Sequence, residues 1–175
     1  NGNNIAPDFP ASLLMGADDG SEGRELWISD GTSAGTSQLK NINGSGGDSD
    51  PDAFRELADE VLFIAYTASA GDELWKTDGT ESGTVQVQDI QGGSPDGVAG
   101  HELSEPFNGE VYFAGDDGST GVELWKTDGT KDGTVRVADI NGGAGDSFPA
   151  DFVVFDGALY FAADDGTDGD ELWKT

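Results

Sequence analysis

Short apolar runs separated by turns rich in aspartate and glycine occupy the chain, and no stretch carries the 3.6-residue periodicity of an amphipathic helix. The clearest example is Phe152-Val153-Val154-Phe155, then Asp156-Gly157, then Ala158-Leu159-Tyr160-Phe161-Ala162. An acidic turn over Asp164–Gly169 follows, and after it Glu171-Leu172-Trp173. Asp-Gly between two apolar runs signals a hairpin, because those residues accept the positive φ that tight hairpin turns need. After the earlier Glu123-Leu124-Trp125, the turn residues Asp128-Gly129-Thr130 and Asp132-Gly133-Thr134 lead to Val135-Arg136-Val137-Ala138. The pattern predicts units of four short antiparallel strands.

The strands of a unit differ in their patterning. The second, as in Leu62-Phe63-Ile64-Ala65 or Val111-Tyr112-Phe113-Ala114, is apolar at consecutive positions and so is expected to be covered on both faces, inside a sheet. The last alternates, as in Val85-Gln86-Val87-Gln88 and Val135-Arg136-Val137. That is the period of an outer strand with one wet face, and it places Gln86, Gln88 and Arg136 toward solvent. A glycine-rich stretch such as Asn141-Gly142-Gly143-Ala144-Gly145-Asp146 leads to the next unit.

The units are internal repeats. Glu25-Leu26-Trp27, Glu73-Leu74-Trp75, Glu123-Leu124-Trp125 and Glu171-Leu172-Trp173 recur at spacings of 48, 50 and 48 residues, and three of them continue into DGT-x-x-GT. Repeats approximately span 1–43, 44–91, 92–141 and 142–175, the first and last partial, within a single repeat domain over 1–175. A first copy without its first strand and a fourth without its last give 3, 4, 4 and 3 strands, 14 in all. Four-stranded units of this length suit an all-β, β-propeller-like arrangement of blades with about a 48-residue repeat; β-solenoid repeats are shorter. Two complete and two incomplete blades are too few to close a ring alone, so self-association or further repeats of a longer chain is the expected partnership.

The ELW-x-x-DGT pattern with its trailing GT and a preceding Asp-Gly loop resembles the ELWxxDGT repeat proteins, large bacterial chains predicted to be secreted or surface-exposed. The resemblance implies an extracellular or cell-surface, propeller-like repeat and brings no catalytic residues with it. The second copy departs from the pattern upstream of its motif, where Thr67-Ala68-Ser69-Ala70-Gly71 replaces the acidic loop.

Composition narrows the function classes. Asp and Glu number 35 against 8 Lys and Arg, a formal charge of −27, which disfavours nucleic acid and anionic membrane surfaces as partners. No apolar run approaches the roughly 20 residues of a membrane-spanning helix. There is no cysteine, so the fold rests on packing and on hard cations if any.

Three acidic loops are candidate calcium ligands: Asp18 and Asp19, Asp116 and Asp117, and Asp164, Asp165 and Asp168. Clustered carboxylates on a glycine-bent loop supply the oxygen ligands calcium takes. The same residues are equally what hairpin turns require, and none of the loops fits the D-x-D-x-D-G pattern. Asp48-Ser49-Asp50-Pro51-Asp52 and Gly142–Asp146 are weaker near-matches to calcium loops. The four tryptophans offer stacking platforms for sugars or, as the repeated strand position favours, core packing between blades, and the Leu and Trp of every ELW are expected to be largely buried. Asn43-Gly44-Ser45 fits a glycosylation acceptor. His101 is the lone histidine and is expected at the surface without a catalytic partner. The expectation is a non-catalytic extracellular structural or adhesive repeat module. Its rivals are a calcium-dependent, lectin-like carbohydrate-binding propeller that takes surface glycans and a secreted hydrolase.

Overall fold

The computed structural model describes residues 12–44 and 46–175. Ser45, and with it part of the glycosylation triplet, lies outside the described residues, as do residues 1–11 of the first repeat. The described chain is all-β, with fourteen antiparallel strands in four sheets. β1 (Leu13–Ala17), β2 (Glu25–Ser29) and β3 (Thr36–Lys40) form the first sheet. β4 (Asp52–Leu57), β5 (Glu60–Thr67), β6 (Gly71–Thr77) and β7 (Val85–Gln88) form the second. β8 (Val98–Leu103), β9 (Val111–Asp116), β10 (Val122–Thr127) and β11 (Val135–Ala138) form the third, and β12 (Ala150–Phe155), β13 (Ala158–Asp164) and β14 (Asp170–Lys174) the fourth. In each sheet the strands lie side by side in chain order, so 3, 4, 4 and 3 strands are present as the patterning predicts.

The ELW motifs sit on β2, β6, β10 and β14, and neighbouring residues of a strand point to opposite faces. Leu and Trp therefore reach different neighbours. Leu26 packs with Trp75 and Phe63 between the first two sheets, and Leu74 packs with Trp125 and Phe113 between the second and third. Leu124 packs with Leu159, Phe161 and the half-buried Trp173 between the third and fourth. Every interface thus combines a leucine from one sheet with a tryptophan from the next. The second strands β5 and β9 are buried over Val61–Ala65 and Val111–Gly115, which is why their patterns do not alternate.

The outer strands behave differently from the alternation rule. Gln86, Gln88 and Arg136 are half-buried, not solvent-facing, while Val85, Val135 and Val137 are exposed. Arg136 folds back over its own sheet, where its guanidinium donates to Thr120 Oγ1 and lies 3.7 Å from Asp117. On an edge strand the long side chain covers its sheet with its methylenes while its charge reaches the loop.

The DGT turns are closed by their own side chains. Asp30, Asp78 and Asp128 each accept from the backbone N–H at 2.9 Å and from the hydroxyl, at 2.6–2.7 Å, of Thr32, Thr80 and Thr130 respectively. That threonine hydroxyl in turn accepts the N–H of Gly35, Gly83 or Gly133 at 2.9–3.0 Å. A Cβ on any of those three glycines would collide with the aspartate carboxylate, so the close approach sets the trailing glycine of the motif. Gly83→Ala is expected to displace Asp78 and destabilise the chain by about 1–2 kcal/mol, and Asp78→Ala by a similar amount. Urea unfolding of both variants measures this, and wild-type midpoints would contradict it.

Candidate functional site

The most elaborate polar construction recurs at each joint between sheets. Glu25, Glu73 and Glu123, the acids of ELW, are fully buried despite the acidity of the chain. Glu25 accepts the N–H of Ile42 at 2.7 Å, that of Asn43 at 3.3 Å and the hydroxyl of Ser49 at 2.6 Å. Glu123 repeats the set with Ile140 at 2.6 Å, Asn141 at 3.3 Å and Ser147 at 2.8 Å. Next to each glutamate the chain is pinned again. Asp48, Asp96 and Asp146 accept the N–H groups of Arg24, Asp72 and Val122 at 2.7–2.9 Å. The N–H groups of Ser49, Gly97 and Ser147 bond the carbonyls of those same three residues at 2.8–3.0 Å. A buried carboxylate is tolerated only when its oxygens are occupied, and these joints occupy them with the loop that enters the following sheet.

The joint between the second and third sheets departs from the set. Gly97 stands where Ser49 and Ser147 stand, and the Glu73 head lies in the space a Cβ on Gly97 would fill. Glu73 accepts the N–H of Ile90, at 3.1 and 3.2 Å, with the backbone of Gln91 and Gly97 also bonding to it, but it has no serine hydroxyl. Burial pushes its carboxyl up to about 8, with Asp89 adding repulsion.

A second link crosses the same pair of sheets. His101 lies on a bulge of β8 with φ 49°, its Nδ1 3.0 Å from Asp52 of β4 and its Nε2 3.2 Å from Asp72 of β6. It is exposed, as the sequence suggests, yet held between two carboxylates, chiefly Asp52, that raise it to about 9. The first strands β4 and β12 carry matching bulges at Ala53 and Asp151. In the fourth sheet, the N–H groups of Asp151 and Phe152 donate to Glu102 of β8 at 3.1 and 3.2 Å. A groove of about 730 Å³ runs past Leu14, Arg24, Asp52, Phe54 and His101, and its charged lining is already paired within the chain, Arg24 with Asp50 and His101 with Asp52.

The acidic loops are occupied by their own backbones. Asp18 accepts from Gly20 N, and Asp19 from the N–H and hydroxyl of Ser21. Asp116 accepts from Gly118 N and from the Gln91 amide. Asp117 takes the N–H and hydroxyl groups of Ser119 and Thr120. Asp164 and Asp165 accept from Gly166 N and Thr167 N, whereas Asp168 lies exposed nearby. The hydroxyl bonds, Ser21 to Asp19 and Ser119 to Asp117, hold those two carboxyls below the usual range. Among the described residues, no group of three or more His, Cys, Asp or Glu is placed to hold a metal ion. Trp75 and Trp125 are 7% exposed and lie in the inter-sheet cores, out of reach of a sugar; Trp27 and Trp173 are half-buried.

Sequence reasoning did not find the buried glutamates. The available signal was a glutamate preceding Leu-Trp in every copy, followed in the first three by Asp-Ser or Asp-Gly 23–24 positions later.

No protein-family model matches the sequence, and no curated protein is significantly similar to it. Among solved structures, a mutant of puromycin hydrolase complexed with PGG aligns with 93% of the chain at 16% identity and a TM-score of 0.60. The chain spans 25% of that protein. An α-L-arabinofuranosidase from Clostridium thermocellum aligns with 88% of the chain and 57% of its own length at 14% identity and a TM-score of 0.36. The first of these likenesses is one of fold, β-rich and propeller-like.

Proposed function

We propose that the chain is a non-catalytic structural or adhesive repeat module, exposed outside the cell and built of propeller-like blades of about 48 residues. It works as part of a longer protein or of an assembly of such units. One observation carries the reading: the polar groups of the repeated motifs are spent inside the protein. The ELW glutamates serve the joints, the DGT aspartates and threonines close turns, and the Asp-Ser pairs pin the next sheet. What recurs is therefore what a scaffold needs. The acidic surface and the resemblance to secreted repeat chains support the extracellular placement.

The test is a panel of glycosidase, esterase and peptidase substrates together with glycan binding, each with and without calcium. The module reading expects no turnover and no calcium-specific rise in melting temperature beyond that of sodium at matched ionic strength. Turnover abolished by a single carboxylate substitution would overturn it in favour of a hydrolase. Calcium-dependent glycan binding lost on Asp116→Asn and Asp117→Asn would establish the lectin-like alternative.

A further inference from the structure

Three interfaces repeat along the chain, and the fourth sheet displays the first half of a fourth. Leu26, Leu74 and Leu124 are no more than 2% exposed, each under the following sheet, whereas Leu172 is 78% exposed. Val153 at 57% and Phe155 at 68% lie bare on the same sheet. β2, β6 and β10 each carry an outer strand, with a bulge between the Leu and the Trp of the motif, but among the described residues β14 pairs with β13 alone. Glu171 Oε2 is shut from solvent and has no hydrogen-bond partner. Its counterparts in the first and third sheets fill that place with two successive backbone N–H groups and a serine hydroxyl.

We propose that the open face of the fourth sheet and the free edge of β14 form a docking surface for a further repeat of the same pattern. The proposal rests on the repeat-module reading and names the partner of the module's open end. The occupant's chemistry follows from the three filled joints. It adds a strand of four or five residues antiparallel to β14, with one extra residue facing the Leu172–Trp173 step. A glycine-rich loop then presents two consecutive N–H groups to Glu171, and an Asp-Ser turn supplies the hydroxyl. Apolar side chains beyond that turn cover Leu172, as Val98, Phe113 and Trp125 cover Leu74. An unrelated apolar partner satisfies Leu172 and Phe155 but leaves Glu171 Oε2 without a donor, at a cost that disfavours it. A second copy docking through its first sheet brings Met15 and Trp27 but, among the described residues, no outer strand for β14.

The experiment appends a second copy of residues 128–163, which carries the outer strand, the Asp-Ser turn and the Leu159 and Phe161 that cover Leu124, directly after Thr175, which stands in its motif where Thr127 stands, and measures amide hydrogen exchange over Asp170–Lys174. Exchange there is expected to slow at least tenfold relative to the parent chain, with a higher melting temperature. Leu172→Asp, harmless in the parent because the side chain is exposed, is expected to cancel both gains in the extended chain. A scrambled appendage of equal length is expected to give neither. Unchanged exchange in the extended chain, or equal protection from the scrambled segment, overturns the proposal. So does a parent chain whose light scattering shows self-association with β14 already protected, since a second copy is then the occupant. Those outcomes leave the non-catalytic reading standing, because turnover and glycan binding decide it separately.

Discussion

Raising the pH from 5 to 9 is expected to destabilise the chain by a few kcal/mol through Glu73 alone, and Glu73→Gln is expected to remove that part of the slope. The carboxyl titrates near 4.5 in the unfolded chain and near 8 when folded. The folded state therefore holds a proton that the unfolded state has released. Stability is greatest below about pH 4.5, falls as pH rises, and levels off above about 8. At about 1.4 kcal/mol for each pH unit of difference the ceiling is near 5 kcal/mol, and relaxation around the charge brings the expectation to about 2–4. His101 acts in the same direction at the same joint: its pairs with Asp52 and Asp72 are fully formed below about 6.5 and are lost as pH rises through about 9. General repulsion in a chain of net charge −27 also grows with pH. The difference in urea midpoint between the chain and its Glu73→Gln variant at pH 5, 7 and 9 isolates the glutamate. Equal pH slopes in the two would mean that Glu73 is ionised in the folded state without penalty. Gly97→Ser supplies the hydroxyl that the other joints possess, provided the carboxylate moves off the position the new Cβ needs; by donating to the ionised carboxylate it is expected to bring the folded-state value down, so that the loss of stability is smaller and levels off at a lower pH.

Leu74→Ala and Leu172→Ala alter the same residue of the same motif and are expected to differ severalfold. Leu74 is fully buried between the second and third sheets, and its truncation leaves a cavity bounded by Phe113 and Trp125, costing about 2–5 kcal/mol. Leu172, 78% exposed, should cost less than about 0.5 kcal/mol. Chemical denaturation of both variants settles the comparison. A loss at Leu172 comparable to that at Leu74 would show that the fourth sheet is covered in solution.

Much of the fold is legible in the sequence because strand patterning and turn chemistry are local. The uninterrupted apolar runs at Leu62–Ala65 and Val111–Ala114 mark strands covered on both sides, and Asp156-Gly157 marks a hairpin; both features stand in the structure. The strand count of each sheet follows from the same reading. What fails is inference about partners distant in the chain. Burial of all four ELW leucines is the natural expectation from the repeat, yet Leu172 is exposed because burial belongs to the neighbour, not to the motif. The alternation of β11 suggests a wet polar face, but Arg136 turns inward to Thr120 and Asp117. The candidate site was the least legible part. An acidic composition argues for solvent-facing carboxylates, and only the geometry of the joints reveals that three glutamates are buried acceptors.

The pinning residues at each joint lie only 24 or 25 positions apart in the chain, as Arg24 with Asp48 and Ser49 and Val122 with Asp146 and Ser147 illustrate. Among the described residues, no joint depends on residues outside the two sheets it connects, so the folding energy takes the form of a nearest-neighbour sum. An in-frame excision of residues 49–96 would place Gly97 directly after Asp48, delivering the third sheet to Arg24 and Glu25 with a complete set of backbone donors. Tandem gain or loss of one period thus changes the length of the protein without asking any surviving joint to be rebuilt.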